Sequence, residues 1–244
     1  MDRGQSTTIG FVVIFSMVLL MVALISASGF ATLDHVQDSE RVNNGVRSFE
    51  ILSDNVDDVV GDEVPSRTTT VKLYDSQLSA AGTTTIEIDV PADGFSHAFE
   101  VAPIVLDAGA GTDVVYENGA VIRSDPDGEV MVDEPAMLLT TDYTVLPVVR
   151  TETVSSTAVG GQSSATIRTT RAGTTVLRTD TESGGVYDDV TLTVTSPRSE
   201  AWFRYLDAQS ATDTCTRSGD TVTCTLTTSE VTVSVTDVDV RFDT

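Results

Sequence analysis

Lysine is nearly missing from this chain of 244 residues: Lys72 is the only one, and the other 13 basic residues are Arg. Against them stand 37 acidic residues, for a net charge of −23. Binding phosphates takes basic stripes, and none exists, so nucleic acid contact is not expected. Cysteine is scarce too. Cys215 and Cys224 are the whole supply, and a structural zinc site uses four Cys or His ligands. His35 and His97 lie far from each other and from both cysteines. The sequence has no phosphate-cradling Gly loop, no nucleophile motif near a histidine and no N-x-Ser/Thr sequon.

Two weak patterns bear on chemistry. Asp125-Pro126-Asp127-Gly128-Glu129 loosely resembles the start of a calcium loop. Its Gly is misplaced for an EF-hand, and Ala136 stands where the closing Glu belongs, so it reads as a polar turn. Asp57-Asp58 and Asp188-Asp189 are adjacent pairs, which point to different sides of a helix or strand and couple poorly as acid and base. The expectation is a non-enzyme with no metal and no cofactor.

What is present is acidity combined with apolar content. Asp (25) outnumbers Glu (12), and 40% of residues are hydrophobic. A chain this acidic stays unfolded when apolar residues are few. Here they are not few, and Val-rich segments alternate, which predicts a folded domain with a solvated acidic skin. Abundant Asp with almost no Lys fits adaptation to high salt, where screening weakens repulsion between like charges.

The N-terminal region differs in kind. Gln5 to Leu33 carries no formal charge, and Ile9 to Phe30 reads IGFVVIFSMVLLMVALISASGF. As a helix its 22 residues span about 33 Å, enough for a bilayer core of about 30 Å. Apolar residues then recur at Val42, Val46, Phe49, Leu52, Val56 and Val59, in steps of three and four that make one helical face. Gly61 and Pro65 are stop signals, and Asn43-Asn44-Gly45 is a candidate kink or break. The preferred reading is one helix from about residue 5 to 60, apolar all round first and amphipathic after. A secretory signal peptide cut near Ser26-Ala27-Ser28 and an uncleaved anchor remain alternatives.

The opening MDRGQSTTIGFVVIFSMVLL has a very short leader ending in basic-Gly, then a polar residue, then an uninterrupted apolar helix. With an amphipathic continuation and a Thr/Val-rich acidic β domain, this resembles the haloarchaeal type IV pilin-like proteins. The resemblance implies a prepilin peptidase cutting between Gly4 and Gln5, with the helix retained. It also implies a helix that leaves the bilayer by packing against other pilin subunits. Many pilins carry a Glu five residues into the mature chain; here that position is Ile9. Assembly without it rests on apolar packing.

Strand signals fill the rest. Thr68–Tyr74 and Thr84–Val90 alternate with period two. Asn118-Gly119 between Val114–Tyr116 and Ala120–Ile122 is a two-residue hairpin turn. Met137–Val149, Thr166–Arg171, Thr174–Arg178 and Val190–Thr195 continue the pattern, punctuated by glycines such as Gly173. Ser196-Pro197 predicts a helix start, with Trp202, Phe203, Tyr205 and Leu206 following as core. Ser218-Gly219-Asp220 reads as a turn that sets Cys215 and Cys224 on opposite strands, where a disulfide fits an oxidising compartment. In the last segment Val231, Val233 and Val235 are followed by Val238, Val240 and Phe242, a parity change that suggests a β-bulge.

The expected class is α+β: a long N-terminal helix, then an antiparallel β-rich domain with one short helix. Expected divisions are a leader (1–4), a transmembrane or filament-core helix (5–33), its amphipathic continuation (34–61) and an extracytoplasmic acidic β domain (66–244). The expected role is a pilin-like subunit of a surface filament. The alternative is a permanently membrane-anchored binding module. Expected partners are prepilin peptidase, other pilin subunits and the membrane, at the cell membrane or in a surface filament.

Overall fold

Alternation of β-branched and polar residues builds most of this chain. Thr84–Val90 reads TTIEIDV; its first, third, fifth and seventh side chains are buried and those between are half-exposed. In the computed structural model the backbone is described for residues 3–61, 64–80, 82–181 and 186–244. Side chains are described there except at 3–9, 26–38, 93 and 179–181.

The strands form three sheets. The first runs β1 (Ser66–Lys72), β12 (Ser164–Thr181), β16 (Glu230–Asp243), β10 (Thr144–Thr153) and β9 (Leu138–Leu139). The second runs β11 (Ala158–Gly161), β2 (Ser76–Ala80), β5 (Ile104–Asp107), β6 (Asp113–Glu117), β7 (Ala120–Asp125) and β8 (Gly128–Asp133). The third runs β14 (Thr212–Ser218), β15 (Thr221–Thr228), β13 (Tyr187–Thr195), β3 (Thr84–Val90) and β4 (Phe95–Val101). Two α-helices accompany them, α1 (Arg3–Gly61) and α2 (Ser199–Asp207).

Several expectations need correction. The class is mainly β rather than α+β. The sheets are not purely antiparallel, because β10 and β16 run parallel. Among the described residues no helix is long and apolar enough to cross a membrane. The chain divides into two units, Met1–Arg41 and Val42–Thr244.

In the first unit every described side chain from Gly10 to Ile25 is exposed. In the second, the Val42–Gly61 stretch of α1 buries one face. Val42, Phe49, Leu52 and Val56 pack with Leu106, Val114 and Tyr116 of the second sheet and with Ile167, Val240 and Phe242 of the first. Gly45 does not break the helix; it sits on the buried face. A Cβ there would stand 2.9 Å from Leu106 Cδ2 and 3.4 Å from Val114 Cγ2. Close approach to the sheet, rather than flexibility, explains the glycine.

A second core joins the third sheet and α2 to the remaining faces of the other sheets. It holds Ile86, Ile88, Leu192, Val194, Trp202, Leu206, Leu226, Val231 and Val233. The strand β16 serves both cores. Val231, Val233 and Val235 line this one, while Val238, Val240 and Phe242 line the α1 core. Alternate residues of a strand face opposite sides. The parity change is therefore a change of core, and no bulge is needed in β16. Its parallel neighbour β10 switches at the same place, with Leu146 and Val148 in one core and Val149 in the other. The irregularities fall on β12 instead, between Arg171 and Gly173 and between Val176 and Arg178. The expected strands 166–171 and 174–178 are thus one strand, with a bulge beside Gly173 in place of the expected break.

Candidate functional site

The Asn118-Gly119 turn is where the second unit is tied together. Both residues have positive φ, 50° and 85°, as a two-residue hairpin between right-twisted strands requires. Ser53 Oγ of α1 donates to Gly119 O at 3.1 Å, and Val149 N–H of β10 donates to Asn118 Oδ1 at 2.7 Å. Next to the turn, at the end of β6, lies a fully buried carboxylate, Glu117. Its Oε2 accepts from Arg198 Nε at 2.8 Å and from Arg198 Nη2, and its Oε1 accepts from Trp202 Nε1 at 2.8 Å. A buried charge is tolerated when it is paired and hydrogen-bonded, and Glu117 is both. The arrangement clamps the start of α2 onto the second sheet.

The loop that resembled a calcium site does the same work. Residues 125–128 form the turn between β7 and β8. Asp125 Oδ1 accepts from Thr112 Oγ1 at 2.8 Å and pairs with Arg123. Glu129 Oε2 accepts the N–H groups of Glu200 and Ala201 at 2.9 and 3.2 Å, capping the first turn of α2 from another strand. Ser196 Oγ accepts from Arg198 N–H, so the helix starts later than Ser196-Pro197 suggested, at Ser199. Trp202 and Leu206 are core, as expected.

Of the acidic pairs, Asp58 is bound to Arg67 at 2.9 Å. Its neighbour Asp57 has its pKa pushed up to about 6. Partial burial is the main cause, followed by the carboxylates of Asp133, Asp54 and Asp58. Asp113 is also raised, by burial and by the Asp107 carboxylate. His97 stacks between Phe95 and Phe99, with ring centroids 5.2 and 5.8 Å away; the side chain of His35 lies outside the described residues. Among the described residues no group of three metal-ligating side chains comes together. The groove between β4 and β10 presents Glu100, Arg150 and Glu152, with Arg150 held by Asp237.

Cys215 and Cys224 are joined in a disulfide across β14 and β15, where they are direct cross-strand partners. The side chains at the Gly4–Gln5 junction lie outside the described residues. What the described part of the first unit offers is a surface: thirteen large apolar side chains between Phe11 and Ile25, each at least half exposed.

A family model matches residues 3–241, and that family, DUF7289, is one of unknown function. The chain belongs to it. No curated protein and no solved structure matches. The DUF7289 match takes in the apolar stretch as well as all three sheets, so both units are part of what the family model describes.

The Glu117–Arg198 pair was not legible beforehand. Its members are 81 positions apart, and neither stands in a motif. The one available signal was a lone Glu directly before Asn-Gly at the end of an apolar strand.

Proposed function

We propose that this protein is a subunit of a type IV pilus-type surface filament. In this reading prepilin peptidase cuts between Gly4 and Gln5, and copies assemble through the retained apolar segment. The observation that carries the reading is the run from Phe11 to Ile25, where Phe11 is 69% and Ile25 72% exposed and no polar face interrupts the helix. An all-round apolar helix is not stable alone in water. Burying each Val, Leu, Ile, Phe or Met side chain contributes about 1.5–3 kcal/mol, so a dozen per copy make a cohesive core. The disulfide supports an oxidising compartment for the β domain. The test is the native N-terminus by intact mass, together with sedimentation in detergent-free buffer. A chain starting at Gln5 that pellets as filaments is expected, with pelleting abolished by Leu19→Asp. A native start at Met1 or near Gly29, or a soluble monomer that keeps the segment, overturns the reading.

A further inference from the structure

Where α1 passes the β6–β7 turn, two carboxylates come together that no basic side chain neutralises. Asp57 stands one helical turn after Ser53, whose Oγ bonds Gly119 O, and so lies on the same side of α1. Asp133 arrives from the end of β8. Val121 pairs with Asp133 while Ile122 pairs with Met131, which leaves Val132 as an extra residue. Residues two apart on a regular strand share a face. Met131 packs on the core that holds Ile122, whereas Val121 and its cross-strand neighbour Tyr116 line the core under α1. The bulge therefore turns Asp133 to the α1 side, since bulges re-aim side chains. The chain then runs on beside the turn, where a Cβ on Gly119 would stand 3.5 Å from Pro135 Cα.

Tyr116 is the third member of the group. It is fully buried in the cross-strand row Tyr116, Val121, Asp133, and its Oη makes no hydrogen bond. Burial and then the Asp57 carboxylate raise its pKa; Asp133 adds to this, and the Gly119 backbone acts the other way. The hydroxyl is thus aimed at both carboxylates. A buried hydroxyl without a partner is uncommon in a folded protein and calls for a ligand that accounts for it. Elsewhere in the second unit carboxylates hold arginines, as Asp58, Asp125, Asp237 and Glu117 do. Among the described residues Asp57 and Asp133 do not.

We infer that Asp57, Asp133 and the Tyr116 hydroxyl form a binding site for a hard divalent cation of the calcium class, which pins α1 to the end of β8. All three donors are oxygens. Softer metals want imidazole or thiolate, but His97 lies on β4 and both cysteines are in the disulfide. Calcium accepts carboxylates, neutral oxygens and water in a flexible shell, whereas magnesium demands a near-ideal octahedron. Two carboxylates are few, so the affinity belongs with the weak extracellular modules, at about 10⁻⁴–10⁻³ M. The site lies wholly within the second unit and does not depend on the filament reading.

The test titrates calcium into the full chain after stripping with EDTA, in about 1 M NaCl, where a screening length of about 3 Å suppresses diffuse binding to the acidic surface. The wild type is compared with D57N/D133N, Y116F and D188N/D189N; the last removes two exposed carboxylates from β13. The expected result is one saturable calcium per chain and a calcium-dependent rise in melting temperature, both kept in D188N/D189N. Affinity should fall at least tenfold in D57N/D133N and at least threefold in Y116F. In EDTA, D57N/D133N should melt no lower than the wild type, because it removes repulsion; a lost ligand is thereby told apart from a folding defect. If the double variant does not fold, Y116F, which loses only a hydroxyl, decides by the same criterion. A wild type without saturable binding, an equal loss in D188N/D189N, or unchanged affinity in D57N/D133N or Y116F overturns the inference.

Discussion

Gly10–Ile25 and Val42–Gly61 are both helical and both rich in Val, Leu and Ile, yet their side chains end in opposite surroundings. Every described residue of the first stretch is exposed; in the second, Phe49, Leu52, Val56 and Val59 are fully buried. The difference lies in periodicity rather than hydrophobicity. A stripe recurring every three to four residues has one surface to hide, and one folded domain can hide it. A helix that is apolar all round has no face to offer water, and a single neighbour cannot cover it. In the proposed filament the first stretch is covered by neighbouring copies, whereas the second is buried within its own unit.

The sharpest way to break this comparison is to shorten one side chain in each stretch and melt both variants. Phe49→Ala is expected to cost about 3–5 kcal/mol, the range for a buried aromatic, and to lower the melting temperature steeply. Leu19→Ala is expected to shift the same melt by less than about 0.5 kcal/mol, as exposed substitutions do. Equal losses would mean that Leu19 is covered within the chain and that the contrast is false.

The Glu117 clamp extends the comparison to a buried polar group. Glu117→Ala leaves the Arg198 guanidinium and the Trp202 N–H without their acceptor. Breaking a buried pair from one side costs about 3–5 kcal/mol. The loss should appear in urea melts of the β domain and should leave sedimentation through the apolar segment unchanged under native conditions. A loss under about 1 kcal/mol would show that water replaces the carboxylate and that the pair is not closed off.

Smaller again is the disulfide. Cys215→Ser with Cys224→Ser removes a short closed loop, which the chain-entropy account values at about 2–3 kcal/mol. The β14–β15 hairpin should still form, because Val222 and Leu226 stay buried on the inner face. A drop much larger than this range would mean that the hairpin depends on the cross-link for its register.

These residues also show what a sequence carries and what it hides. Thr84–Val90 was legible to the residue because its alternation is unbroken, and the Asn118-Gly119 turn because both positions need positive φ. The Cys215–Cys224 pairing was legible from the intervening turn. Met137–Val149 was read as one strand but holds β9, a turn at Thr140–Tyr143 and the start of β10, since apolar residues on both sides mask a four-residue reversal. The parallel partnership of β10 and β16, 87 positions apart at Arg150 and Asp237, leaves no local mark. Parity along β16 was visible, but only the two cores explain it. Gly45 was read as weakness because a sequence does not show how near a sheet will come.

A small charge effect is expected on the Val42–Gly61 stretch of α1, at Asp57. Its folded pKa of about 6 is above the ordinary value of 3.8, so the folded state holds a proton that the unfolded chain has already released between those values. Stability linked to this group is fully present below about pH 4 and is lost as pH rises through about 6. The groups that face it are Asp133, Asp54 and Asp58, and of these Asp58 is paired with Arg67. Asp57→Asn removes the charge while keeping the shape. The variant should match the wild type near pH 4 and exceed it above pH 7. The gain should be about 1 kcal/mol at most, because Asp57 is only partly buried and solvent screens its neighbours. Paired urea melts at pH 4, 6 and 8 measure it. A gain already present at pH 4 would assign the effect to helix propensity instead of charge. No gain at pH 8 would mean that the four carboxylates of α1 and β8 are each solvated separately and that the helix docks on the sheet without electrostatic cost.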